Sequence, residues 1–251
     1  MSYFFETVDT IDLSLNLGFS LYGPLHLTWL AVFVLFTAAL CVLYRKSSDA
    51  ARAWLRRIMA GAIVLDEVFK MVCLAIGGNY TADYLPLHLC SINLFLIAIH
   101  AVKPSKPLDN FLYAVCIPGA LAALLFPTWT ALPLDNFMHL HSFTIHILLA
   151  AYPIVLAVGG DIRPDIKALP RSILLLLGMA AIALAANLLF DTNFMFLMYV
   201  EGTNPLGFFE QLWGNHLYGY PVLISAVIVV MYAPLYTFRA LRNRSRTAHG
   251  A

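Results

Sequence analysis

Seven predominantly apolar stretches of about twenty residues follow one another along the chain, at 22–44, 55–77, 84–101, 109–126, 137–158, 170–190 and 216–238. A hydrocarbon layer is crossed by about twenty helical residues, and a helix is the one local structure that satisfies its own backbone there. The expected fold is therefore an all-α polytopic membrane protein of seven transmembrane helices. With 61% apolar and only 12% charged residues, the chain lies outside the range of soluble domains. The length leaves no room for a separate soluble part, so 1–251 is read as a single transmembrane domain. It comprises an outer segment 1–21, a seven-helix bundle 22–238 and a basic tail 239–251.

Orientation follows from charge, because Lys and Arg are held back on the cytoplasmic side during insertion. With seven spans, the connections 45–54, 102–108 and 159–169, their flanking helix ends and the tail from Arg239 hold every basic residue except Lys70. The other side carries Glu6, Asp9, Asp12, Asp83, Asp135, Asp191, Glu201 and Glu210. The N-terminus is thus expected outside and the C-terminus in the cytoplasm. Acidic residues precede the first apolar run, the reverse of a cleavable signal peptide, so the N-terminus is expected to be retained. Two outer segments are expected to form short interfacial helices: 2–20, and 204–213 with Asn204 as N-cap and Pro205 at the first helical position.

Depth then sorts the polar residues. The spans at 84–101 and 137–158 run inward, which puts His88 and Cys90 at one level with His139, His141 and His146. His26 and His216 are also outer, whereas His100 and His249 are inner. At about 100° per residue, His139, Ser142 and His146 share a stripe and His141 points elsewhere. Cys90 shares a face with Asn93, and His88 turns away unless Pro86 loosens the first turn. On the second span Asp66, Lys70 and Cys73 form a stripe, with Glu67 in reach of Lys70. Charges at such depth turn inward and pair.

Plain structural roles account for much of this. Asp66, Glu67 and Lys70 read as a buried ion-pair network, His26 and His216 as helix-end residues, and Cys41, Cys73 and Cys116 as packing residues. No cysteine falls in a loop, so no disulfide framework is indicated. Cys90 stands apart through its level and its face.

Four motifs, "LPLHLCSIN", "IPGALAALLFP", "HSFTIH" and "TNFMFL" followed by "NPLGFFEQLWGNHLYGYPVLI", resemble in order the signatures of bacterial YwaF-type integral membrane proteins. These are related to the transmembrane protein 164 family, and the resemblance covers roughly 80–225. It implies a bacterial cytoplasmic membrane protein whose eukaryotic relatives are phospholipid acyltransferases with a cysteine nucleophile and a histidine. The cysteine of "HLC" maps onto Cys90, and the histidine of "HSFTIH" onto His146 or, less naturally, His141. "FMHLH" adds histidines outside the family pattern, which leaves the partner of Cys90 open.

The function expected is acyl transfer or hydrolysis by Cys90 and a histidine base in an outer-facing cavity, with His88, Asn93, His139, His141 and Ser142 in support. Asn93 or His88 would donate to the oxyanion. The expected partners are membrane phospholipids and a lipid or acyl substrate, with no nucleic acid and no cofactor. A non-catalytic binder or transporter of a small solute, with Asp66, Lys70 and the histidines as contacts, is the alternative. A zinc-dependent lipid hydrolase is a further one, although no His-x3-His pair lies on one helix. The last span has no lysine for a retinal Schiff base.

Overall fold

The computed structural model describes residues 3–200 and 204–248; Glu201, His249 and the end of the tail lie outside the described residues, as do the side chains of Arg239 and 242–248. Every element among the described residues is helical. The chain divides into two compact units, Met1–Asn204 and Pro205–Ala251.

In the first unit, α1 (Pro24–Lys46) starts with proline at its first position and ends on Arg45 and Lys46, cations suited to a helix C-terminus. Ser48 then caps α2 (Asp49–Gly77), which closes on Gly78 at φ 71°, a left-handed conformation that glycine adopts without strain. A 3-10 turn at Ala82–Tyr84 precedes α3 (Leu89–Val102). Helix α4 (Lys106–Phe111) continues through a π-helical stretch, Leu112–Cys116, into α5 (Ile117–Leu125). Pro118, with no N–H to give, stands just past that stretch, and such an interruption of the ladder is a recognised cause of local helix distortion. Asn136 caps α6 (Phe137–Gly159) by accepting from the Met138 and His139 amides, and α7 (Leu169–Phe190) follows.

Helix α6 is the centre of this unit. It packs on α1, α2, α3 and α5, and buries side chains on every face from Phe137 to Leu156. With lipid as apolar as the side chains, close contact rather than water exclusion holds such helices together. Gly159 shows this, since a Cβ there would run into the Tyr44 ring.

Six helical segments are long and apolar enough to cross a membrane: 24–46, 82–102, 106–125, 137–159, 166–190 and 216–238. The chain is accordingly an integral membrane protein. At 29 residues α2 is long enough, but Asp66, Glu67 and Lys70 interrupt its apolar character.

The N-terminal segment differs from expectation. Residues 3–20 fold as turns with one 3-10 turn, Leu13–Leu15, rather than an interfacial helix. The segment is tied down by main-chain bonds: Asn136 Nδ2 donates to the carbonyls of Tyr3 and Glu6 at 2.8 Å each, and Phe19 N to Thr130 O at 2.8 Å. The loop after α7 is ordered by Asn187, whose Oδ1 accepts from Phe194 N at 2.7 Å and whose Nδ2 donates to Phe194 O at 3.1 Å.

The second unit comprises α8 (Leu206–Trp213), a 3-10 turn His216–Tyr218 and α9 (Gly219–Ala248). Pro205 is the cap of α8 rather than its first helical residue, a shift of one position from the sequence reading.

Candidate active site

Pro86 delays the start of α3, so Leu89 is the first helical residue, Cys90 lies in the opening turn and His88 is the extended cap residue. Cys90 is partly exposed. Its Sγ lies 2.9 Å from Nε2 of His146 on α6. The other ring nitrogen of His146, Nδ1, is 2.6 Å from the Ser142 carbonyl one turn back. A carbonyl only accepts, so Nδ1 carries the proton and Nε2 presents its lone pair to the thiol. The Trp129 indole stacks on the imidazole at 5.4 Å and 7°, fixing the ring plane. A thiol oriented toward an imidazole that is itself held by a third group is the arrangement of an activated nucleophile.

His139 is not brought to Cys90. It is fully buried, with Nδ1 3.0 Å from the Leu132 carbonyl and Nε2 accepting from Trp29 Nε1 at 3.1 Å. Both nitrogens are used. It shares the stripe with His146, but seven residues of helix separate the two by about 10 Å.

His141 faces α2 instead. Its Nδ1 lies 2.9 Å from Asp66 Oδ2 and its Nε2 3.8 Å from Glu67 Oε2. The first pair is close but poorly aligned, and neither atom has a hydrogen-bond partner. Lys70 Nζ pairs with Glu67 Oε1 at 2.6 Å, and the Thr144 hydroxyl sits 2.9 Å from Asp66 Oδ1, with the Leu140 carbonyl also in reach at 2.7 Å. Asp66, Glu67 and Lys70 thus form one polar group with His141, the residue that the sequence reading places at Cys90 as support or as the less natural base.

Of the other candidates, His88 accepts a long 3.4 Å bond at Nδ1 from Met195 N and packs edge-on against Phe194. Ser142 contributes its carbonyl rather than its hydroxyl. Asn93, one turn beyond Cys90, is 1% exposed and its Oδ1 has no hydrogen-bond partner. Trp129 carried no signal in the sequence because it lies in the loop between α5 and α6, outside any helical period. Its indole nitrogen is also buried and unpartnered.

His26 bridges two backbone groups, accepting from Tyr22 N at 2.9 Å and lying 2.7 Å from the Leu124 carbonyl. In the second unit His216 is 4.0 Å from Glu210. Among the described residues no three His, Cys, Asp or Glu side chains gather as metal ligands, so the zinc reading has no ligand set there.

An integral membrane protein of apolar helices, with a thiol and an imidazole paired inside its first unit, is the class defined by these features. The chain belongs to the TMEM164 family, whose model matches residues 21–235 and so spans both Cys90 and His146. No curated protein and no solved structure matches it.

Proposed function

We propose that this protein is a membrane-embedded lipid acyltransferase or lipid hydrolase, with Cys90 as nucleophile and His146 as its base. The 2.9 Å approach of Sγ to Nε2, with Nδ1 occupied by a carbonyl, is the observation that carries the reading. His146 takes the Sγ proton as the sulfur attacks an ester carbonyl of a phospholipid. The tetrahedral intermediate collapses, the C–O bond breaks, and His146 returns the proton to the leaving lysolipid oxygen, leaving an acyl thioester on Cys90. A second lipid hydroxyl, or water, then gives its proton to His146, attacks the thioester and releases the thiolate, which recovers the proton. The negative oxygen needs a donor. The unpartnered indole N–H of Trp129, which stacks on His146, and the amide of Asn93 are candidates, and so is His88, whose Nδ1 accepts from Met195 N and whose Nε2 therefore keeps its proton.

Topology belongs to the same proposal. Helix α2 is the seventh span, because its mid-helix charges are paired with one another and with His141 instead of facing lipid. The N-terminus lies outside and the C-terminus in the cytoplasm of a bacterial cell, so the pair opens toward the outer leaflet and phospholipid enters from the side.

The ionic group of α2 and α6 favours a second reading, a binder or transporter of a small polar solute. Incubating purified protein with phospholipid and measuring its mass separates the two. The acyltransferase reading expects an acyl adduct on Cys90, absent in Cys90→Ala. Ligand retention with neither adduct nor turnover would favour the binder.

A further inference from the structure

At the far end of α3 from Cys90, the start of α2, the end of α3 and the end of α6 enclose a cavity of about 380 Å³ lined by Asp49, Arg52, Arg56, His100, Pro104 and Asp161. Sites for small molecules typically measure roughly 300–1,000 Å³. Most polar groups of its wall are committed. His100 has both nitrogens engaged, with Tyr152 Oη and Asp109 Oδ1 at 2.8 Å each. Arg52 donates from Nε to the Tyr44 carbonyl at 3.0 Å and from Nη2 to the Arg45 carbonyl at 3.2 Å, closing the C-terminus of α1. Asp161 accepts from the Tyr44 hydroxyl and from Arg56 Nη1, the latter at 3.1 Å.

Arg56 is different. Its Nε is buried and has no hydrogen-bond partner, and a buried cationic donor left unbonded is costly enough that native structures ordinarily satisfy it. That Nε is shielded from the cavity, so what Arg56 can offer a ligand is its Nη pair, held now by Asp161 at Nη1 and forming, once Asp161 withdraws, a fork that matches two oxygens of one phosphate. Lys46, Lys103 and Lys106 stand exposed at the same end of the unit and add positive potential. Asp161, the present partner of Arg56, follows Gly160 in a turn with its side chain 26% exposed, so it has room to withdraw.

We infer that this cavity is a second site that binds a phosphate group, with Arg56 taking two of its oxygens and Asp161 displaced. The phosphate belongs either to a phospholipid headgroup of the adjoining leaflet, since basic pockets between membrane helices recognise such groups, or to a soluble phosphate compound. No chemistry at Cys90 is required.

Two substitutions test it because both break the same ion pair. Full-length protein in nanodiscs containing phosphatidylglycerol and phosphatidylcholine is analysed by native mass spectrometry, and its melting is followed with added inorganic phosphate. Arg56→Gln should weaken phosphatidylglycerol retention or phosphate stabilisation about tenfold, the worth of one charge-assisted bond. Asp161→Asn should strengthen the same readout. Should Arg56→Gln fail to fold, Arg56→Lys keeps the charge, loses the fork and carries the same expectation. Selective phosphatidylglycerol retention without a response to inorganic phosphate identifies a lipid headgroup, and stabilisation by inorganic phosphate identifies a soluble ligand. Wild-type protein that shows neither, or variants that move the readout in the same direction, would overturn the site and leave the arginines as a structural clamp.

Discussion

Three histidines lie on α6 within eight residues, and each has a different partner: His139 holds Trp29 and a carbonyl, His141 meets Asp66 and Glu67, and His146 meets Cys90. Substitution should therefore separate them. Cys90→Ala removes one sulfur atom, a loss of about 1 kcal/mol that a bundle tolerates, and should abolish lipid turnover while the protein still elutes and melts near normally. His146→Ala should match it, and the double variant should be hardly slower than either single one if the two act as a unit. His139→Ala should do the reverse. It strands the Trp29 indole N–H and the Leu132 carbonyl, at about 1–3 kcal/mol each, so the melting temperature falls while activity per folded molecule persists. Trp129→Phe keeps a ring over His146 and deletes the buried N–H. A kcat lowered at least tenfold with KM unchanged is expected if that N–H meets the oxyanion, and an unchanged kcat would return the role to Asn93 or His88.

At the scale of elements, the ionic group between α2 and α6 makes its own prediction. Lys70 and Glu67 are 9% and 12% exposed and 2.6 Å apart, so Lys70→Met leaves a buried carboxylate without its cation and should cost about 3–5 kcal/mol. Lys70→Met with Glu67→Met should recover much of that loss, measured as resistance to thermal unfolding in detergent; a double variant as unstable as the single one would mean that the pair is not the unit. Six of the seven expected spans are helices long and apolar enough to cross, because apolar length is a strong signal, and α1, α6 and α7 start and stop within a few residues of their expected limits. The sequence reading also puts Cys90 and His146 at one level, and the two side chains do meet. Three things were not legible in the sequence. Pro86 holds off the start of α3 until Leu89, which turns His88 from a helix residue into a cap. The π stretch at Leu112–Cys116 leaves no trace in an apolar run. The choice among three histidines depends on which neighbour each ring meets, and Leu132, Trp29 and Ser142 supply partners that helical period alone does not place.

For the whole molecule, the charge partition argues for the seventh crossing, over 55–77, which the six long apolar helices do not include. If α2 did not cross, Arg45 and Lys46 would lie on one side of the membrane and Lys103 and Lys106 on the other, and the basic residues would be split between two compartments. With α2 crossing, all but Lys70 share one side, and the buried charges of α2 face His141 rather than lipid. The cost of charges at mid-membrane depth is moderate on insertion scales, about 2.5–3.5 kcal/mol for each unpaired one, and pairing of Lys70 with Glu67 reduces it. Reporter fusions decide the matter because the two arrangements differ in parity. Fusions after residue 48 and after residue 105 should report the same, cytoplasmic side, and a fusion after residue 80 the opposite one. Fusions at 48 and 105 on opposite sides would leave six crossings and place Cys90 near the other leaflet, and lipid would then have to reach the thiol from the cytoplasmic half of the membrane.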